Sequence, residues 1–299
     1  MRRAVTILVL VTLVLVPAQV MGAERKRVQW LTSIYAGPKG LGLKYPEGVA
    51  CRGKELVVAD TGNSRLVRYT YERETVAATA SLPLGKAAPI VVQINSEGAL
   101  YFLDGAERRI AAVSATGEQL GALALRGLPS SAEVVPKSFR IDRDDNIYIL
   151  DIFSARVLVL DPAGRYLRHV SFPGDYGFFS DLAVDRQGRI FLVDSVDAVV
   201  YATTGSGGFS ALTGSLKDYV NFPTALTLDN RGMVYLVDQH GSGLAVVGSD
   251  GSFLGRRLGM GWNESGLYFP SHMCISENGV AFIADRNNSR VQVFSLGWD

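Results

Sequence analysis

The chain has 299 residues, a formal net charge of +1 and two cysteines. This balance of charge gives no strongly basic surface, so it argues against an electrostatic nucleic-acid binder. The length exceeds that of most single domains, but all-β propellers and barrels often form one domain of 200 to 250 residues.

The first 23 residues have the parts of a secretory signal peptide. Two arginines follow Met1, a largely apolar run covers residues 4–16, and a stretch of small residues ends at Ala23. These are the basic, apolar and cleavage regions of such a segment, and we expect cleavage after Gly22 or Ala23. The alternative is an uncleaved membrane anchor, because residues 5–21 nearly reach the length of a spanning helix. Pro17 interrupts the run and favours cleavage.

Cleavage makes the mature chain slightly acidic. It removes two arginines and no acidic residue, which changes the formal net charge from +1 to −1. We therefore expect an exported protein, periplasmic or extracellular, that is not held at a membrane and does not bind nucleic acid.

An internal repeat fills the rest of the chain. A β-branched run that ends in aspartate recurs six times, with steps of 44, 47, 43, 44 and 47 residues. The six aspartates are Asp60, Asp104, Asp151, Asp194, Asp238 and Asp285. A fixed period of this length indicates a repeat architecture in which each unit is one supersecondary structure.

Each unit reads as short strands joined by tight turns. In the fifth unit, Pro223 begins an apolar run, the turn 230–232 follows, a second run ends at Asp238, and a third begins at Leu244. Val, Ile, Leu and Tyr bounded by Gly, Asn and Asp are typical of hairpin strands. Most units continue with a fourth strand, so the sequence predicts an all-β fold, a six-bladed β-propeller of four-stranded antiparallel blades.

The ring is expected to close with the N-terminal strand. The sixth unit, from Pro270 to the last residue, holds only three strands, while the strand-like residues Val28–Ile34 precede the first unit. The N-terminal strand thus completes the last blade and leaves no orphan edge. Residues 24–299 then form a single domain, which we expect to be a monomer.

The first and last units resemble a known repeat. Residues 45–50 (YPEGVA) followed by 57–66 (VVADTGNSRL) are similar to the repeat of NHL-type β-propellers, and residues 269–294 resemble it equally. The four middle units are degenerate: Val199 and Gly243 replace the repeat arginine, and Phe179 replaces the proline. The resemblance covers residues 28–299 and implies partner binding as the commonest use of the fold.

The repeated acidic and basic residues are interpreted as structural. An aspartate at the end of a strand accepts hydrogen bonds from the next turn, and an arginine five residues later can return to it across the hairpin. Arg65, Arg109, Arg156 and Arg290 occupy that position. A feature present in most blades usually builds the blade, so these residues do not predict a ring of catalytic groups.

The two cysteines lie in neighbouring blades of a closed ring. Aligned on the inner strand, Cys51 comes one step later than Cys274, so the two side chains point to opposite faces of their own blades. Opposite faces are the ones that can meet between blades 6 and 1, which allows a disulfide. The alternative is two buried free thiols that behave as small apolar residues.

Candidate binding residues collect in segments that share one face of the disc. His240 follows a second strand, and His272 begins an innermost strand. Aromatic residues without a role in the repeat lie in the same kind of segment: Phe153, Tyr176, Phe178, Tyr219 and Trp262. Exposed aromatics on loops are typical anchors for a partner. The alternative is that these rings pack beneath their own loops.

Metal chemistry is not predicted. A metal site needs about three converging ligands, and two histidines in neighbouring blades do not supply them. The resemblance extends to a secreted zinc-dependent lyase whose metal histidines directly follow the repeat proline. The residues at those positions here are Glu47, Ile90, Lys137, Thr224 and Ser271, with Asp181 one place later in the degenerate fourth unit, and none of them is histidine. We expect no metal and no cofactor.

Two functions are therefore weighed. The favoured hypothesis is a secreted or periplasmic scaffold that binds a protein, peptide or glycan through its loop face, because loops on a rigid frame usually carry function. The alternative is a metal-dependent propeller enzyme of the lyase or lactone hydrolase type, although no catalytic set of carboxylates stands out.

Overall fold

The structure is a computed structural model that describes residues 26–72, 75–129, 133–205 and 207–298. The predicted signal peptide, residues 1–23, lies outside these residues. Strands account for most of the described chain, and three short 3-10 turns interrupt them. These turns are Pro38–Gly40, Thr61–Asn63 and Arg286–Asn288.

The first half of the ring follows an N-terminal strand. That strand is β1 (Lys26–Ile34). Blade 1 consists of β2 (Pro46–Arg52), β3 (Glu55–Asp60), β4 (Arg65–Glu72) and β5 (Thr75–Pro83). Blade 2 consists of β6 (Pro89–Ile94), β7 (Leu100–Asp104), β8 (Arg109–Val113) and β9 (Gln119–Ala122). Blade 3 consists of β10 (Pro136–Ile141), β11 (Ile147–Asp151), β12 (Arg156–Leu160) and β13 (Tyr166–Ser171).

The second half repeats the same plan. Blade 4 consists of β14 (Phe179–Val184), β15 (Ile190–Asp194), β16 (Val199–Thr203) and β17 (Phe209–Ala211). Blade 5 consists of β18 (Pro223–Leu228), β19 (Val234–Asp238), β20 (Gly243–Val247) and β21 (Phe253–Arg257). A small parallel pair follows, β22 (Gly259–Met260) and β23 (Gly266–Leu267). Blade 6 contains β24 (His272–Ile275), β25 (Val280–Asp285) and β26 (Arg290–Trp298).

The N-terminal strand closes the ring, as predicted. The strand order of blade 6 is β24, β25, β26 and then β1. Strand β1 pairs antiparallel with β26 from Lys26 opposite Trp298 to Ile34 opposite Val291. All six blades therefore have four antiparallel strands, and the prediction of a six-bladed propeller is confirmed.

The innermost strands surround a central channel. Each contacts the next in the order β2, β6, β10, β14, β18, β24 and back to β2. Their approach is close in places, because a Cβ atom on Gly48 would lie 2.9 Å from the carbonyl oxygen of Ile90. A side chain at position 48 would thus displace the backbone of blade 2.

The hydrophobic core is divided into six clusters, one between each pair of neighbouring blades. Successive side chains of a strand point to opposite faces of its sheet, and in a ring both faces of every blade meet another blade. This explains why β11, β15, β19 and β25 consist entirely of buried residues.

The antiparallel plan defines two faces of the disc. The upper face carries the connections between blades and the turns that join second to third strands. The lower face carries the turns that join first to second and third to fourth strands. This division decides which loops lie together at each mouth of the channel.

The repeated aspartates fasten the blades, and in blades 2 to 5 they accept hydrogen bonds from the backbone of the next turn, as the sequence predicts. Each accepts a hydrogen bond from a backbone N–H located 16 or 17 residues earlier, just before the first strand of its own blade. In blade 1, for example, Lys44 N donates to Asp60 Oδ1 at 2.7 Å. The carboxylate thereby holds the connection that leads into the blade.

The predicted arginine partners are confirmed in three blades and wrong in one. Arg65, Arg156 and Arg290 are buried and pair with their aspartates. Arg109 instead pairs with Glu107 at the surface, where about half of each side chain is exposed. In blade 5, where Gly243 occupies the repeat position, Arg256 of the outer strand pairs with Asp238.

The cysteines join the first and last blades. Cys51 on β2 and Cys274 on β24 form a disulfide with a Cα–Cα separation of 6.0 Å. The bond links residues 223 positions apart, at the seam where the two ends of the ring meet. No helix within the described residues is long and apolar enough to cross a membrane.

Candidate functional site

Exposed apolar side chains are concentrated on the upper face. Thirteen large apolar residues are exposed among those the structure describes. Ten of them lie in upper-face turns or connections: Tyr35, Leu41, Tyr45, Ile152, Phe153, Tyr176, Val196, Tyr219, Met260 and Trp262. The other three, Leu120, Leu167 and Leu254, lie on outer strands, so within the described chain the lower face has none. The two faces of the disc thus differ sharply in chemistry.

The aromatic residues predicted for this face lie there in two states. Trp262 and Phe153 are 71% and 62% exposed. Tyr176 stacks on Phe179 at 4.8 Å between ring centroids, and Tyr219 stacks on Phe253 at 4.2 Å. These two tyrosines therefore fit neither alternative fully, exposed anchor or packed ring, since each packs one ring face and leaves part of its surface in solvent.

A row of rings follows the upper face from blade 5 to blade 6. His240 stacks on Phe222 at 5.0 Å and lies 5.8 Å from Phe269. Phe269 contacts Tyr268 at 5.3 Å, and Tyr268 lies 5.7 Å from Trp262. His240 is thus an exposed member of an aromatic row, rather than a metal ligand beside His272.

Three aromatic residues at the channel mouth have left-handed backbones. The φ angles of Tyr45, Phe222 and Phe269, each just before a blade's first proline, are 47°, 64° and 49°. This conformation is uncommon for a bulky side chain and persists only where the surrounding structure imposes it. An arginine holds one of these three rings: Arg286, in the turn that follows β25, lies over the Tyr45 ring, 5.5 Å from its centre.

A polar cluster lies inside the channel, on the inner strands of blades 3, 4 and 6. Asp181 is 2% exposed and accepts hydrogen bonds from Ser138 Oγ at 2.5 Å and from Arg140 at 2.6 Å. The backbone N–H of Leu226 also donates to Asp181, at 3.0 Å. This carboxylate is therefore well satisfied, as a buried charge must be.

His272 begins the inner strand of blade 6, as predicted, but it is not an exposed residue of the loop face. It is 5% exposed and lies inside the channel, where its Nδ1 accepts a hydrogen bond from Val49 N at 3.5 Å. Burial and, to a lesser extent, the nearby Arg140 guanidinium lower the pKa of this imidazole to about 4, while Asp181 opposes the shift. The ring is therefore neutral at pH 7, and its 4.0 Å contact with Asp181 is not an ion pair.

The neutral ring leaves one donor unused. Because Nδ1 accepts a hydrogen bond, Nε2 carries the proton. Nε2 is buried and has no hydrogen-bond partner among the described residues. A buried donor without an acceptor is costly, so this atom marks a place where an oxygen from outside the chain would be stabilised.

The cluster separates two cavities. The upper one has a volume of about 240 Å³ and is lined by Lys137, Phe178, Phe222, Gln239, Ser271 and neighbouring inner-strand residues. The lower one has a volume of about 340 Å³ and is lined by apolar inner-strand residues together with charged turn residues that include Arg52, Arg143 and Arg186. His272 lines both cavities, so it lies at the level where they meet.

The donor set does not suit a metal ion. His272 and Asp181 approach each other, but the part of the chain that the structure describes has no group of three His, Cys, Asp or Glu side chains placed to hold a metal. Zinc and similar ions take about four ligands, three of them from protein in catalytic sites.

Sequence reasoning missed part of this cluster. Ser138 and Arg140 are two and four residues after the first proline of blade 3, and Asp181 occupies the Ser138 position of blade 4, two residues after Phe179. The available signal was the set of residues that follow the repeat prolines, because these positions line the upper cavity.

The comparisons with known proteins agree with this fold. Residues 267–294 match the NHL repeat. The chain is thus a six-bladed β-propeller, and its last blade carries an NHL repeat. No curated protein sequence matches the chain.

Several solved structures share the architecture. A gluconolactonase from Xanthomonas campestris is 18% identical, with 91% of this chain and 90% of that chain covered at a TM-score of 0.66. Virginiamycin B lyase from Staphylococcus aureus is 13% identical, with coverage of 91% and 100% and a TM-score of 0.61. An aldose sugar dehydrogenase from Streptomyces coelicolor is 15% identical, with coverage of 91% and 99% and a TM-score of 0.62. At these identities the likeness shows the fold, on which many functions are built.

Proposed function

We propose that this protein is an exported propeller that binds a polypeptide partner through its upper face. The observation that supports this most is the uneven distribution of exposed apolar side chains, ten of thirteen on one face. Extensive exposed apolar surface on a soluble protein usually marks an interaction site. Here the exposed apolar residues share the upper face of a rigid frame of six blades.

The mixture of residue types favours a polypeptide over a glycan. The exposed set joins aromatic rings such as Phe153 and Trp262 with aliphatic side chains such as Leu41, Ile152 and Met260. Aromatic residues and methionine are enriched at the centres of protein interfaces, and a few aromatic anchors usually supply most of the binding energy. Aliphatic side chains add less to sugar binding, because sugars require polar groups beside the ring platforms.

Site-specific crosslinking tests this proposal. A photo-crosslinking amino acid at position 153 or 262 of the mature protein is expected to capture the same polypeptide from the exported fraction of the native cells. The matched control carries the same group at Leu167, which is 53% exposed on the outer strand β13. Equal capture at all three positions would contradict a specific upper-face site.

The captured partner then allows a quantitative test. Phe153→Ala and Trp262→Ala should each weaken its binding by about 1 kcal/mol or more, while Leu167→Ala should leave the affinity unchanged. All three substitutions remove an exposed side chain, so the melting temperatures should stay close to that of the parent. Unchanged affinity in both upper-face variants would refute the proposal.

Export is part of the proposal. The basic and apolar residues 1–23 supply a signal peptide, and the disulfide between Cys51 and Cys274 is of the kind that persists in oxidising compartments. Mass spectrometry of the protein recovered from its native cells should give a mature N-terminus at Ala23 or Glu24. Recovery of full-length protein in the cytosolic fraction would contradict export.

A propeller enzyme of the lyase or lactone hydrolase type is the second candidate. The observation that favours it is the buried pair of His272 and Asp181 beside a cavity, in a fold shared with a gluconolactonase and a lyase. Assays with lactone substrates decide between the two: turnover by the purified protein that is lost in His272→Gln would favour the enzyme. If neither the purified protein nor His272→Gln turns over a lactone, the binding role is favoured.

A further inference from the structure

The cavity at the upper mouth of the channel has three polar groups without partners. Lys137 forms no ion pair within the described residues, and its Nζ lies 5.3 Å from the centre of the Phe178 ring. The side-chain amide of Gln239 makes no hydrogen bond to the described chain, and Nε2 of His272 is buried without a partner. All three residues line the same cavity.

These groups are donors, which limits what can bind them. The Lys137 ammonium and the protonated Nε2 of His272 only donate, and the Gln239 amide presents two N–H groups. A ligand that satisfies all three must bring accepting oxygen atoms. An oxygen of a carboxylate does this best, because hydrogen bonds to charged groups are stronger than neutral ones.

The charges at the cavity also favour an anion. Two carboxylates line it, but each already has an arginine partner: Glu47 pairs with Arg286 at 3.0 Å, and Asp181 pairs with Arg140 at 2.6 Å. Lys137 therefore contributes one positive charge that no carboxylate of the described residues balances. The adjacent Phe178 and Phe222 rings supply apolar walls for the carbon atoms next to a bound carboxylate.

The cavity is small. Its volume of about 240 Å³ lies below the range of about 300 to 1,000 Å³ that is usual for drug-sized ligands. The space suits a single acidic group with a short apolar stem. A side chain or chain terminus of a polypeptide on the upper face has this form, and so does a small free acid.

We infer that the upper mouth of the channel is a carboxylate-binding site, with Lys137, Gln239 and His272 as its donors. This deepens the proposed function, because the site lies at the centre of the face proposed to bind a polypeptide. The carboxylate comes either from that polypeptide or from a small free acid, and the recognising chemistry is the same.

Nuclear magnetic resonance tests the site without the partner. The chain has three histidines, so the imidazole signals resolve easily, and His272→Gln assigns the one in the channel. Titration with phenylacetate at pH 7 should shift the His272 signal to saturation and leave His169, on the outer strand β13, unchanged. Phenylacetamide, which has the same shape and no charge, should bind about tenfold more weakly or worse.

Two lysine variants form a matched pair. Lys137→Met should weaken phenylacetate binding about tenfold or more, whereas Lys86→Met removes an exposed cation from another upper-face connection and should change nothing. Lys137→Arg, which retains the charge, should preserve most of the affinity. Unfolding curves identify any variant that has lost its fold. No saturable shift at His272, or equal affinity in folded Lys137→Met and the parent, would overturn the inference.

Two peptides distinguish the sources of the carboxylate. One has a glutamate in its middle and blocked ends, and the other is uncharged except for a free C-terminal carboxylate. Tighter binding of either peptide than of phenylacetate would assign the site to a polypeptide. Binding of phenylacetate alone would assign it to a free acid and would leave the carboxylate site standing while the polypeptide function fails.

Discussion

Replacement of two arginines at the same repeat position provides a sharp test of the structural reasoning. Arg65 and Arg109 both lie five residues after a blade aspartate, but only Arg65 is buried, at 4% exposure. Its Nε donates to Asp60 at 2.6 Å, and its NH2 group donates to the carbonyl oxygens of Leu41 and Gly42 at 3.0 and 3.1 Å. Arg65 thus joins blade 1 to the connection that leaves blade 6.

The expected losses of stability differ severalfold. Arg65→Ala leaves the Asp60 carboxylate buried with two other donors among the described residues, Lys44 N and Asn63 Nδ2. Removal of one partner of a buried pair costs about 3 to 5 kcal/mol. Arg109 meets Glu107 with about half of each side chain in solvent, and such pairs contribute roughly 0 to 1 kcal/mol.

Urea denaturation of the oxidised mature protein measures both values. Arg65→Lys serves as a milder variant, because it keeps the charge but loses the forked hydrogen bonds of the guanidinium, and its loss should lie between the other two. The m-value should be the same in all variants, so that midpoint shifts report stability. If Arg65→Ala and Arg109→Ala lower the free energy of unfolding by amounts that agree to within about 1 kcal/mol, the reasoning is refuted. Arg65 would then not be a buried residue that holds the blade while Arg109 is a surface residue.

Three further predictions follow from the closure of the ring and from its channel. A mature chain that begins at Gly37 lacks β1 and exposes the edge of β26, so it should be insoluble or far less stable. An unchanged melting temperature relative to a chain that begins at Glu24 would contradict the role of β1. The Cys51–Cys274 disulfide closes a loop of 223 residues. By the chain-entropy model, replacement of both cysteines by serine should lower the free energy of unfolding by up to about 5 kcal/mol. Two free thiols in mass spectra of the exported protein would disprove the bond. His272 stays neutral when folded, with a pKa of about 4, whereas the unfolded chain protonates it near its ordinary pKa of about 6.5. The contribution of neutral His272 to the free energy of unfolding is therefore complete above pH 7 and is lost as the pH falls from 6.5 towards 4. The loss between pH 8 and pH 5 should be about 2 kcal/mol. If denaturation at these two pH values shows an equal loss in His272→Gln, other groups cause the loss.

Periodic features of the sequence predicted the fold correctly. The spacing of the six aspartates and the missing fourth strand of the last unit were enough to predict six blades and closure by residues 28–34. Both are local regularities, since strand alternation and turn chemistry act within each repeat of about 45 residues. The disulfide between Cys51 and Cys274 was open at that stage, because strand parity allowed two free thiols equally well.

The candidate site depended on contacts between distant parts of the chain. Arg140, Asp181 and His272 come from three different blades, and their shared place near the start of the inner strands does not show that the side chains meet. Arg256 is a similar case, since it compensates for Gly243 from a different strand of the blade. Burial also had to be seen directly: His272 and Trp262 were both expected on the loop face, but they are 5% and 71% exposed.

The sequence by itself therefore determined the number of blades, their internal hydrogen bonding and the closure of the ring, because these follow from short-range periodicity and turn chemistry. Only the tertiary structure decided which residues converge in the channel and which donors remain unsatisfied. The physical reason is that burial and the pairing of polar groups depend on neighbours from other blades, and those neighbours are fixed only when the inner strands meet around one axis.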